Sequence, residues 1–223
     1  MKPLNKYIDH TNLKPMATRA DIEKLCADAR EWDFASVCVN PCNISLAKEL
    51  LAGSDVKVCT VIGFPLGQNT TAVKVAEAEA AYAAGCEEFD MVINVGRLKD
   101  GEIDYVRDEI AAVVKAAKGK TVKVIIETGL LTDEEKATAT RLSCEAGAHF
   151  VKTCSGVSAG VATVADIKLM KENLSGAVEL KASAGIRSYE DAKALIDAGA
   201  TRLGTSAGIA IITGKPCGAN GGY

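Results

Sequence analysis

Short β-branched runs alternate with longer amphipathic stretches along the whole chain. The apolar runs cover residues 7–10, 36–39, 56–62, 89–94, 122–127, 149–152, 178–181 and 202–204. Their length and composition fit strands buried on both faces, as in a parallel sheet. Between them the 3.6-residue pattern predicts helices over 19–31, 71–84, 103–117, 133–146, 163–172 and 189–198, with a further short helix near 209–212. Thr132-Asp133-Glu134-Glu135 and Ser188-Tyr189-Glu190-Asp191 place a hydroxyl and then carboxylates where a helix starts. Gly85, Gly147 and Gly199 stand where helices would end.

Strand starts recur every 20 to 33 residues or so, the spacing of βα units. No Pro/Gly-rich linker interrupts the eight units. This predicts a single (β/α)8 barrel over residues 1–223, with a flexible Gly-rich tail from about 214. An open doubly wound sheet is the competing arrangement. In a barrel, chemistry gathers at the C-terminal ends of the strands. Asp9, Asp90, Asn94, Glu127, Lys152 and Lys181 would then converge on one mouth.

Lys152 and Lys181 each end an apolar run, and small residues and a glycine follow each. An ammonium group is costly to desolvate, so it belongs where a strand opens into a site. Two such lysines on neighbouring strands repel each other, which favours a neutral, nucleophilic amine on one. That points to imine chemistry on Lys152, with Lys181 keeping the amine free. A solvated or ion-paired rim lysine is the alternative. Asp90, between Phe89 and Met91, is placed to relay a proton or to hold Lys181. Asp9 and Thr11 would order the site or cap the following turn. His10 alternates away from Asp9 and is expected to face the helices. Glu127 would pair with a lysine or act in catalysis. The Gly-rich stretches Ser155-Gly156, Ala184-Gly185 and Gly204-Thr205-Ser206-Ala207-Gly208 are expected either to cradle phosphate through backbone N–H groups, as loops after late barrel strands do, or to form ordinary βα turns.

Composition narrows this reading. The chain has 223 residues, 48% hydrophobic and 25% charged, with a net charge of −3. No basic field is offered to nucleic acid and no apolar run is long enough to cross a bilayer. Met1 to Lys6 leads directly into foldable sequence, so a cytoplasmic location is expected. The 8 cysteines are expected to be reduced, partly buried thiols. No stretch matches a P-loop or a full dinucleotide fingerprint.

Several motifs, in order, resemble the deoxyribose-phosphate aldolase family of class I aldolases. They are Tyr7-Ile8-Asp9-His10-Thr11-Asn12-Leu13, Phe89-Asp90-Met91-Val92-Ile93-Asn94-Val95-Gly96, Phe150-Val151-Lys152-Thr153 and Leu180-Lys181-Ala182-Ser183. Gly199-Ala200-Thr201-Arg202-Leu203-Gly204 also matches. The resemblance implies a (β/α)8 enzyme cleaving 2-deoxy-D-ribose 5-phosphate to D-glyceraldehyde 3-phosphate and acetaldehyde, with no cofactor and no metal. Lys152 would form the Schiff base, and its imine would be the electron sink for breaking the C3–C4 bond. Asp90 and Lys181 would move protons. Asp9 and Thr11 would organise the site, and Gly156, Gly185, Gly204 and Ser206 would bind phosphate. Tyr223 would assist the proton step at the enamine carbon. A homo-oligomer, most simply a dimer, is expected. Cys154-Ser155, Val157, Ala184 and Ala207 depart from the family pattern and bear on phosphate affinity. A Schiff-base aldolase with another donor, or a sugar-phosphate-binding barrel without catalysis, are the alternatives.

Overall fold

The computed structural model describes residues 2–158 and 160–215. Eight parallel strands close into a barrel in chain order. They are β1 (Ile8–Asn12), β2 (Ser36–Val39), β3 (Lys57–Ile62), β4 (Glu88–Val92), β5 (Thr121–Ile125), β6 (Phe150–Lys152), β7 (Glu179–Ser183) and β8 (Arg202–Thr205). The last strand pairs with the first, Asp9 opposite Gly204. Helices α1 (Arg19–Glu31), α2 (Ile44–Leu50), α3 (Thr71–Ala83), α4 (Val95–Lys99), α5 (Ile103–Ala116), α6 (Asp133–Glu145), α7 (Val164–Glu172), α8 (Tyr189–Ala198) and α9 (Gly208–Thr213) surround it. The single (β/α)8 barrel expected from the pattern is the fold, and the doubly wound alternative falls. Apart from Gly214 and Lys215, the expected tail lies outside the described residues, as does Tyr223.

Local signals explain the helix starts. Thr18, Thr132 and Ser188 each cap a helix and receive the reciprocal carboxylate of a capping box. Each such cap contributes about 1 kcal/mol. Outward-facing strand residues build the main core. Ile8, Val37, Val58, Phe89, Met91, Val122, Val124, Val151, Leu180 and Leu203 are buried against helix faces carrying Ile22, Ile110, Val113, Ile167 and Leu195. Each such aliphatic or aromatic side chain contributes about 1.5–3 kcal/mol. His10 belongs to this outer face, as expected. Its ring lies 5.1 Å from that of Phe34 and 3.9 Å from Asp28.

Inward-facing residues follow from the same alternation and from strand register. The lowest tier carries Ser36, Glu88, Phe150 and Arg202, from even-numbered strands. The next carries Asp9, Cys59, Lys123 and Lys181, from odd-numbered strands. The third carries Cys38, Asp90, Lys152 and Gly204, again from even-numbered strands. Tiers of four from alternate strands are the usual packing of such a barrel, but bulky aliphatics usually fill them. Here most of the filling is ionic, and a small apolar patch of Leu13, Cys38, Cys59 and Val61 lies beside it.

Candidate active site

Three buried carboxylates and four cations meet along the barrel axis. Lys152 Nζ and Lys181 Nζ both donate to Asp90 Oδ2, at 2.8 and 2.7 Å. Lys123 Nζ donates to Asp90 Oδ1 at 2.8 Å. Below them Lys181 is paired with Asp9 at 2.5 Å, and Lys123 with Glu88 at 2.7 Å. Arg202 bridges Asp9 and Glu88 at 2.7 and 3.0 Å and stacks 5.4 Å from the centre of the Phe150 ring. Ser36 donates to Asp9 Oδ1 at 2.7 Å. Strand register creates this convergence. Lys152 on β6 stands beside Lys181 on β7, and Asp90 on β4 beside Lys123 on β5.

Mutual pairing decides the charge states. Burial alone would push the Asp90 carboxyl up. Lys123, Lys152 and Lys181 overcome that and hold it well below the usual range. Asp9 is also held down against burial, by Arg202, Lys181 and Lys123. Burial would lower Lys181, but Asp9 and Asp90 raise it above an ordinary lysine. Lys123 is raised against burial by Asp90, Glu88 and Asp9. Lys152 differs in place and company. It tops the cluster, and its one carboxylate oxygen is shared with Lys181.

The residues singled out in the sequence separate into distinct settings. Lys152, Lys181, Asp90 and Asp9 are brought together. Thr11 is buried, but its hydroxyl donates to the Asp9 carbonyl at 2.9 Å. Asn94 caps α4, accepting from the Arg97 amide at 3.1 Å. Glu127 departs from expectation. β5 ends at Ile125, Glu127 takes a left-handed backbone, and its carboxylate accepts the Ser155 amide at 3.1 Å. It therefore braces the loop after β6, and among the described residues no ion pair joins it to a barrel lysine. Gly204 lies within β8, one residue before its end, and not in the loop that follows. A Cβ there would sit 2.0 Å from Ser183 Oγ and 3.0 Å from Lys181 Cε. Its missing side chain makes room for Lys181.

Gly156, Gly185 and Ser206 do lie just beyond β6, β7 and β8, around one side of the mouth. Gly156 and Gly185 have φ of 86° and 78°, where glycine is favoured. Ala184 shares that conformation at φ 78°, a strain of about 1–2 kcal/mol for a residue with a Cβ. Cys154 is buried with its thiol 3.3 Å from Thr128 Oγ1, whereas Val157 is exposed.

Lys123, Glu88 and Arg202 were not singled out in the sequence, although a signal for Lys123 was present. In Val122-Lys123-Val124 a charged residue alternates with branched ones, which reads as a solvent-facing position. In a parallel barrel both faces are buried, so the same alternation marks an inward charge. Cys38, Cys59 and Asp90 offer three ligand atoms within 4.8 Å of one another. Both Asp90 oxygens already accept lysine ammonium groups, so a cation there would compete with three neighbours of its own sign.

Known proteins with this architecture are similar over nearly the whole chain. A deoxyribose-phosphate aldolase from Bdellovibrio bacteriovorus is 57% identical over 220 residues, covering 99% of either chain. One from Staphylococcus carnosus is 60% identical over 209 residues, covering 94% of this chain and 95% of the relative. The tetrameric deoxyribose phosphate aldolase of Aeropyrum pernix superposes with a TM-score of 0.86 at 34% identity, covering 94% of this chain and 89% of that one. Fold and relatives together define the class, a (β/α)8 carbon–carbon lyase. The DeoC/LacD family aldolase pattern spans residues 4–215. The chain belongs to that family, among its deoxyribose-phosphate aldolases.

Proposed function

We propose that the chain reversibly cleaves 2-deoxy-D-ribose 5-phosphate to D-glyceraldehyde 3-phosphate and acetaldehyde through an imine on Lys152. The observation that carries this is the imbalance of four cations against three carboxylates in one buried cluster. Excess buried charge is costly, so one cation is driven to lose its proton. Arg202 cannot do so at accessible pH. Lys123 holds both carboxylates of β4, and Lys181 holds one on β1 and one on β4. Lys152, at the open end with half a carboxylate oxygen, is left to supply the free amine. Pairwise repulsion from Lys181, the expectation from sequence, is one part of this wider balance.

The steps follow from an amine beside a carboxylate and a second ammonium. Lys152 Nζ attacks the C1 aldehyde of the open-chain sugar, and the carbinolamine loses water to give a protonated imine. A water held by Asp90 and Lys181 accepts the C3 hydroxyl proton. The electron pair of the breaking bond flows into the imine, leaving an enamine and releasing glyceraldehyde 3-phosphate. Acetaldehyde takes away two carbons, so the scissile bond is C2–C3, one bond nearer the carbonyl than the C3–C4 bond named from sequence. Protonation at C2 and hydrolysis then free acetaldehyde and the lysine. The loops carrying Gly156, Gly185 and Ser206 are where this reading seats the phosphate, on the side of the mouth formed by β6, β7 and β8. The reading also takes the protein to be a cytoplasmic homo-oligomer. Among the described residues no helix is long and apolar enough to cross a membrane, and the Aeropyrum relative is a tetramer.

Borohydride reduction in the presence of acetaldehyde, followed by peptide mapping, tests the mechanism. A mass increase on the Lys152 peptide is expected, and its loss in Lys152→Met. Labelling on another lysine would overturn the assignment. Product analysis with acetaldehyde against dihydroxyacetone as donor separates this reaction from that of another Schiff-base aldolase.

A further inference from the structure

We propose that Glu88 and Arg202, at the closed end of the charge cluster, are positioning residues that set how readily Lys152 presents a free amine. This rests on the imine reading above and deepens it. Both lie in the lowest inward tier, two residues along their strands from Asp90 and Gly204. Lys152 lies in the third tier, and the tier between belongs to Asp9, Cys59, Lys123 and Lys181. Neither residue reaches the mouth, so neither touches substrate.

Their connection to Lys152 is nonetheless continuous. Glu88 pairs with Lys123, Lys123 with Asp90, and Asp90 with Lys152, each within 2.8 Å. Arg202 pairs with Asp9 at 2.7 Å, Asp9 with Lys181 at 2.5 Å, and Lys181 with Asp90 at 2.7 Å. Two routes thus run from the floor of the barrel to the same carboxylate. The charged groups around Lys152 come from several strands. They are Asp90 and Glu88 on β4, Lys181 on β7, Lys123 on β5, Asp9 on β1 and Arg202 on β8. The thiols of Cys38 on β2 and Cys59 on β3 line the same interior. Glu88 supplies one of the three negative charges and Arg202 one of the four positive ones. Removing either alters the excess that Lys152 relieves, in opposite directions. In a buried, poorly screened interior such a change is felt across about two tiers.

The experiment is acetaldehyde–borohydride trapping on Lys152, measured against pH in the intact protein with circular dichroism to verify folding. Glu88→Gln deepens the positive excess, so the pH of half-maximal trapping falls, by on the order of one unit. Arg202→Met removes the excess, so the same midpoint rises by a similar amount. Arg202→Lys keeps the charge and stays near the parent. The double variant Glu88→Gln with Arg202→Met restores the balance and also returns near the parent. Shifts of the same sign in the two single variants, an unmoved midpoint in either of them, or a double variant that drifts away from the parent would overturn the proposal. A role in stability alone predicts such unmoved midpoints. Should one single variant not fold, the other decides by the sign of its shift, downward for Glu88→Gln or upward for Arg202→Met. A parent protein that is not labelled on Lys152 would instead sink the imine reading, and this proposal with it.

Discussion

At the scale of single residues, the two faces of one strand assign opposite fates to neighbouring side chains. Asp9 points into the barrel and is ionised by its partners, whereas His10 points out and is kept neutral. Burial lowers the His10 imidazole from 6.5 to about 4, with Asp28 opposing only in part. The unfolded chain therefore takes up this proton first as pH falls. The stability that neutral His10 contributes is complete above pH 6.5 and is lost progressively toward pH 4, about 3 kcal/mol in all. His10→Phe, which keeps a ring against Phe34, should flatten that part of the stability profile. Denaturant midpoints between pH 4.5 and 7 would reveal a slope that persists if another group is responsible. The same parity made Lys152, Lys181, Asp90 and Asp9 legible in the sequence, since each is a charge beside an apolar run. Glu88 and Arg202 were less legible because they open their strands. A charge at that position reads as the solvated end of the preceding turn, and only the closed barrel shows that it faces the axis.

Among the elements, β8 shows how a strand can serve a site by what it lacks. Gly204 faces Ser183 and Lys181 across the β7–β8 pair, and any Cβ would collide with the Ser183 hydroxyl. Gly204→Ala should cost about 1–3 kcal/mol of stability by overpacking and lower turnover at least tenfold by displacing Lys181. Adding Ser183→Ala removes the closest obstacle and should return much of the lost stability. Chemical denaturation together with initial rates would show this, and full activity in Gly204→Ala alone would refute it. Strand order and the six long helices were readable because their periods are sustained over many residues. α2 and α4 were not, because each is two turns or fewer, α2 after the polar segment Pro41–Asn43 and α4 hard against the apolar run of β4. Among the described residues the lysine pair expected for Glu127 is missing for a related reason. The apolar run continues through Ile126, but pairing stops at Ile125 and the chain turns left-handed.

For the whole molecule, the ionic interior ties together strands that are neighbours only through barrel closure. Asp9 on β1, Asp90 on β4, Lys123 on β5, Lys181 on β7 and Arg202 on β8 meet only when all eight strands are in register. Acid should therefore act on the entire barrel. Asp9 and Asp90 are held below the ordinary value of 3.8. Their contribution is complete above that pH and is lost as pH falls through their folded values, once the unfolded carboxyls have bound protons. A steep single transition below about pH 4 is expected. Its midpoint should barely move with added salt, because buried pairs are poorly screened. Surface ion pairs as the cause would make that midpoint drift with ionic strength. The axial stack of salt also sets limits on how the protein can diversify. An aliphatic-filled barrel tolerates one-for-one swaps along its centre, but here each replacement leaves a counterion stranded. New aldehyde specificities are therefore to be sought by remodelling the rim, with the column beneath kept intact or altered in matched pairs.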